Sequence, residues 1–126
     1  MIMIAVYFEI PVTDMTRAMA FYTRVFGVEF KQVTIDGNDM ALFPFGEEAD
    51  GCSGALAKGE SYVPSLDGAR IYLSVADIEQ TMASALHAGA WSLYPVTTVM
   101  NRFKVAEFQD SEGNRIALQQ RLPSSL

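Results

Sequence analysis

Phe8-Glu9-Ile10-Pro11-Val12-Thr13-Asp14-Met15 and Ile71-Tyr72-Leu73-Ser74-Val75-Ala76-Asp77-Ile78 follow one pattern, 63 residues apart. Met19-Ala20 falls on Met82-Ala83 at the same offset. The offset then slips to 62, which pairs Gly27 with Gly89 and Asp50-Gly51-Cys52-Ser53-Gly54-Ala55-Leu56 with Glu112-Gly113-Asn114-Arg115-Ile116-Ala117-Leu118. Self-similarity at a fixed period defines an architecture before any single motif does. Two copies of one folding unit are therefore expected, covering about residues 4–58 and 69–121, with a linker over about 59–68 that carries Pro64.

Each copy opens on a strand with alternate apolar residues: Phe8, Ile10 and Val12, then Ile71, Leu73 and Val75. Asp14 and Asp77 come next, placed to cap a helix, and Gln80 stands three residues after Asp77 as in a capping box. Met15, Ala18, Met19, Tyr22 and Phe26 recur at helical spacing in the first copy. Ile78, Met82, Ala85 and Gly89 do so in the second. Gly27 and Gly89 sit where left-handed caps end helices. Short runs broken by turn residues follow, at 29–35, 40–45 and 53–58, then at 91–96, 104–109 and 115–120. Asp110 to Asn114 is expected to be the last hairpin turn. Each copy reads βαβββ. The fold class is α+β, with two tandem βαβββ modules.

A chain of 126 residues, half of them apolar, suits one domain with a real core. The net charge of −6 is spread out, without the Lys/Arg clusters that track phosphates, so nucleic acid is not an expected partner. The opening Met-Ile-Met-Ile-Ala-Val is too short for a signal peptide core and is interrupted by Glu9. A cytoplasmic protein with no membrane partner is expected. Cys52 is the single cysteine, so no intramolecular disulfide forms, and a buried small side chain is its ordinary role.

The stretch Asp14 to Val28, with Phe21-Tyr22 leading to Phe26-Gly27, resembles the "FY…v-l-G" helix of the glyoxalase/bleomycin-resistance/dioxygenase (vicinal oxygen chelate) superfamily. Asp110 to Leu118 is similar to its "D-P-D-G-N-x-I-E-L" hairpin. This resemblance implies that the two modules form a curved, cup-like mixed sheet with helices on its outer face, and that a His near the middle of each first strand and a Glu in each last strand bind a metal ion in family enzymes. Carried over residue by residue, the His positions fall on Tyr7 and Arg70 and the Glu positions on Ala55 and Ala117. Alanine offers no donor atom, and a guanidinium repels a cation. No metal and no cofactor are therefore expected. The sole histidine, His87, lies in the second helix.

Strand alternation places Tyr7 and Glu9 on the ligand face of the first strand, and Arg70, Tyr72 and Ser74 on that of its mate. Ser53, Ala55 and Ala57 share that face, as do Arg115, Ala117 and Gln119. Glu9 and Tyr7 are the candidate catalytic residues; Arg70, Tyr72, Ser53, Arg115 and Gln119 are the candidate ligand-binding residues. In one reading an arginine grips a ligand oxygen and Glu9 or Tyr7 moves a proton. In the other, Glu9 and an arginine neutralise each other. Asn101 and Arg102 read as a solvated loop, and Glu47, Glu48 and Asp50 as a solvated turn. Trp91 and Tyr94 fit either a cavity wall or the core, and the facing of Glu107 is open.

Three functions fit these residues. The first is a metal-independent binder of a small organic molecule, of the bleomycin-resistance type, acting as a homodimer. The second is a lyase or isomerase related to lactoylglutathione lyase, working through Glu9, Tyr7 and Arg70 in place of a metal. The third is a degenerate domain kept for protein contacts.

Overall fold

The computed structural model describes residues 2–46 and 51–123, so Glu47, Glu48 and Asp50 lie outside the described residues. The first module runs β1 (Tyr7–Pro11), α1 (Met15–Phe26), β2 (Lys31–Ile35), β3 (Asn38–Leu42) and β4 (Ser53–Lys58). The second runs β5 (Tyr72–Ser74), α2 (Ile78–His87), β6 (Trp91–Val99), β7 (Phe103–Gln109) and β8 (Arg115–Arg121). Each is βαβββ, as the repeat implies. The sheets are ordered β1-β4-β3-β2 and β5-β8-β7-β6. The first strand of each lies parallel to the last, and the other pairs are antiparallel. No backbone hydrogen bond joins one sheet to the other among the described residues, so the mixed sheet is built as two halves.

Both helices start where an acidic side chain accepts an otherwise orphaned amide hydrogen. Arg17 N donates to Asp14 at 3.0 Å, and Gln80 N donates to Asp77 at 3.1 Å. The second half of the expected capping box is not made, because the Gln80 side chain turns along the helix and donates to Ser84 instead. Gly27 caps α1 in the left-handed conformation, its amide donating to the Thr23 carbonyl. α2 instead ends on Ala88 with ordinary φ, and Gly89 takes positive φ one residue later. In α1 the inward stripe is Met15, Ala18, Phe21, Tyr22 and Val25, while Met19 and Phe26 are only partly buried beside it. β6 is longer than the sequence suggests, and its register shifts on either side of Tyr94, next to Pro95, which has no amide hydrogen to give the ladder.

The apolar sides of the two modules merge. Ile10, Leu56 and Tyr22 of the first join Ile78, Phe108 and Leu118 of the second in one buried cluster. Phe21 of α1 packs on Phe108 of β7, ring centres 5.8 Å apart. The 110–114 turn then ties the modules together with polar groups. Tyr22 donates to Asp110 at 2.6 Å, and Asn114 Nδ2 donates to the Pro11 carbonyl at 2.7 Å. Glu112 accepts from both the Thr13 and Asp14 amides and from the Arg17 guanidinium at 2.7 Å, its side chain wholly shielded from solvent. The sheet faces turned away from the helices do not join this core. On the first sheet Met40, Ala55 and Ala57 form their own small cluster with Tyr62.

Candidate functional site

The strand registers put the expected residues on those helix-free faces. Tyr7 lies opposite Ser53 and Glu9 opposite Ala55. In the second module Tyr72 lies opposite Ala117 and Ser74 opposite Gln119.

The partners of these side chains differ from the reading in which Glu9 and an arginine neutralise each other. Glu9 pairs with no arginine among the described residues. Tyr7 donates to its Oε2 at 3.1 Å and Tyr62, from the linker, donates to its Oε1 at 2.8 Å. One phenol thus anchors each carboxylate oxygen above the floor of Met40, Ala55 and Ala57. The Tyr7 hydroxyl is pushed above its usual pKa by burial and by the Glu9 charge, and the Tyr62 hydroxyl by its hydrogen bond to Glu9 and then by burial.

Arg70 and Arg115 converge instead on Glu107, which is 6 % exposed. Arg115 Nη1 meets one of its oxygens at 2.7 Å and Arg70 Nη1 meets the other at 3.3 Å. Arg115 is further fixed by donating Nε to the Leu66 carbonyl at 3.2 Å.

A cleft of about 210 Å³ opens where the two modules meet. Glu9 and Pro11 of β1 line one side, Asn114 and Arg115 the other, and the linker contributes Val63, Ser65 and Asp67. It joins one expected residue from each module, Glu9 and Arg115. The other expected residues stay outside it. Ser53 lines a separate hollow of about 300 Å³ with Phe8, Phe43, Cys52 and Ser74, its hydroxyl 3.4 Å from the Pro44 carbonyl. Tyr72 is half exposed on its strand, and Gln119 lies beside Ser74.

Trp91, 70 % exposed, and Tyr94 belong to neither the core nor the cleft. His87 sits in a groove between α1 and α2 with Arg24. Arg102 caps the Phe103 ring at 5.4 Å.

Two contributors leave no signal in the sequence. Tyr62 comes from a stretch with no periodicity, so nothing in the sequence aims it at Glu9. Glu107 sits in a strand where Ala106, Glu107 and Phe108 are all buried, which erases the alternation that would have given its facing.

At the four positions where the family implies metal ligands stand Tyr7, Arg70, Ala55 and Ala117, and this set does not fit a divalent ion. The two alanines are fully buried without a donor atom, and Arg70 is ion-paired to Glu107. No group of three His, Cys, Asp or Glu side chains suited to a metal occurs among the described residues.

Two βαβββ modules, each with its first strand parallel to its last, define the class of fold to which this chain belongs. Residues 4–118 match the Glyoxalase/Bleomycin resistance protein/Dioxygenase superfamily, and the chain belongs to that family. A glyoxylase-like domain-containing protein of Didymella fabae is 31% identical over 114 residues, 87% of this chain and 88% of that protein.

Among solved structures, TnmS3, an antibiotic binding protein from Streptomyces sp. CB03234, superposes with a TM-score of 0.71 at 21% identity, covering 97% of this chain and 99% of its own. Glyoxalase I from Zea mays superposes with a TM-score of 0.67 at 15% identity over 90% of this chain. The present chain spans 44% of that maize protein, about half its length. These likenesses concern the fold. No helix among the described residues is long and apolar enough to cross a membrane.

Proposed function

We propose that the chain is a metal-independent binding protein for a small organic molecule, acting in the cytoplasm as a homodimer. The observation that carries this reading is the seam cleft. It sets the Glu9 carboxylate, steadied by two phenols, in one hollow with the Arg115 guanidinium, steadied by Glu107. Concave sites with a few fixed polar groups among apolar walls are the ordinary form of small-molecule sites. The fold neighbour TnmS3, an antibiotic binding protein covered over 99% of its length, supports a small-molecule-binding role.

The test is a thermal-shift screen of small organic molecules, run with and without EDTA, on wild-type protein and on Glu9→Gln. A molecule that stabilises the wild type equally in both buffers, and Glu9→Gln much less, is the expected result. Stabilisation that needs added zinc, nickel, iron or manganese would overturn metal independence. A second reading rests on the Tyr7 to Glu9 contact. A carboxylate within hydrogen-bond reach of a phenol is the pairing a lyase or isomerase uses to move a proton. Turnover of a bound molecule, lost in Tyr7→Phe and insensitive to EDTA, would select that reading.

A further inference from the structure

The proposed site has a charge pattern that specifies its ligand more narrowly. We infer that the seam cleft takes a compact zwitterion carrying a protonated amine and a carboxylate on a short branched apolar body, of the size and class of an aliphatic α-amino acid. This rests on the seam cleft being the binding site.

The β1 wall holds surplus negative charge. Glu9 has two phenol donors and no cationic partner among the described residues, and phenols orient a carboxylate without neutralising it. Asp67 also lines the cleft, but it follows Leu66, whose carbonyl accepts from Arg115, so the unpaired charge of the β1 wall is that of Glu9 alone.

The opposite wall holds surplus positive charge. Two guanidinium groups share the one Glu107 carboxylate, so that cluster keeps a net positive charge. A guanidinium has five N–H donors. Arg115 spends one on Glu107 and one on the Leu66 carbonyl, which leaves the rest for an oxygen in the cleft.

Negative and positive surpluses that face one hollow from different modules, without pairing, are complementary to a dipolar molecule. An ammonium group would bond to the free lone pairs of Glu9, and a carboxylate would take the remaining Arg115 donors in the charge-assisted geometry that guanidinium favours. Between these ends the lining is aliphatic, with Ile71, Ile116 and Val63, and Val63 is largely exposed until something covers it. The volume of about 210 Å³ lies below the roughly 300–1,000 Å³ of sites for drug-sized ligands, which argues for a smaller occupant.

Three probes of matched shape separate the charges: leucine, 3-methylbutylamine and 4-methylpentanoate, titrated by calorimetry and by amide chemical shifts. Leucine is expected to bind tightest, the amine at least fivefold more weakly, and the acid weakest. Glu9→Gln is expected to weaken leucine at least tenfold. Arg115→Lys, which keeps the charge but loses the fork, is expected to erase the preference for leucine over the amine. A thermal melt of each variant alone establishes that it is folded.

Equal binding of leucine and the acid, or leucine binding unchanged in Glu9→Gln, would overturn the inference. If none of the three binds while another organic molecule stabilises the protein through Glu9, the ligand class is wrong and the binding function stands. If nothing binds at all, both readings fall.

Discussion

At the residue scale, Glu112 shows how one side chain couples the modules. Burial works against its charge, but the Arg17 guanidinium, the Asp14 and Thr13 amides and the Ser111 hydroxyl overcome it and hold its pKa down to about 2, against an ordinary 4.5. A carboxylate lowered by folding contributes stability that is complete above its unfolded value and is lost as pH falls towards its folded one. The contribution should therefore be full at neutral pH and fade between about 4.5 and about 2. Glu112→Gln is expected to melt below wild type at pH 7, with the gap closing across that window, as followed by circular dichroism. A gap that stays constant down to pH 2.5 would show that the charge is not what holds the turn.

Glu107 makes a second case. Its truncation leaves two guanidinium groups without their shared carboxylate, although both are partly solvated. Glu107→Ala should cost about 1–3 kcal/mol in urea unfolding, below the value for a fully buried pair because water screens the arginines. The roles of these residues divide sharply in legibility. Tyr7, Glu9 and Arg115 could be placed on the helix-free faces by counting along strands. Their partners Tyr62 and Glu107 could not, because side-chain pairing across a linker or between strands leaves no periodic trace.

At the element scale, what was legible is what local chemistry dictates. Asp14 and Asp77 cap their helices and β4 begins at Ser53 and ends at Lys58, as the alternation and turn residues imply. What escaped depends on neighbours: the Gln80 side chain chose Ser84, and Phe21 faces inward because Phe108 of the second module packs against its ring. One strand contact could be recognised only in three dimensions. At Gly54 any Cβ would run into the Phe8 carbonyl of β1 and its ring, so the parallel β1–β4 pairing depends on a missing side chain. Gly54→Ala is expected to destabilise the protein by roughly 1–3 kcal/mol, the usual cost of overpacking. Gly46→Ala, where nothing among the described residues lies within contact distance, should melt with the wild type. Substituting Asp77→Ala should cost about 1 kcal/mol through its lost helix cap, a smaller effect than Gly54→Ala in the same denaturation series.

At the scale of the whole molecule, the repeat announced two modules but left open how they would meet. They meet through their helix-bearing sides and the 110–114 turn, so the shared core is consumed within one chain. The helix-free faces and the outer edges of β1 and β5 find no strand partner among the described residues. Those unpartnered surfaces carry aromatic side chains, with Tyr7 48 % exposed, Tyr72 50 % and Trp91 70 %. Residues Ile2, Met3, Ile4 and Val6, just before β1, are exposed as well.

Large apolar side chains grouped on open sheet faces mark association surfaces, and unpaired strand edges invite a second chain. A two-fold dimer is the simplest closure, since it lets each first-module face meet a second-module face twice. Sedimentation equilibrium is therefore expected to give twice the 13.9 kDa chain mass at micromolar concentration. Trp91→Glu, which puts a charge on the most exposed of these aromatic side chains, should shift the equilibrium towards monomer while leaving the far-ultraviolet spectrum unchanged. Wild-type protein that stays monomeric at those concentrations would instead mean that the open faces are kept for ligand alone.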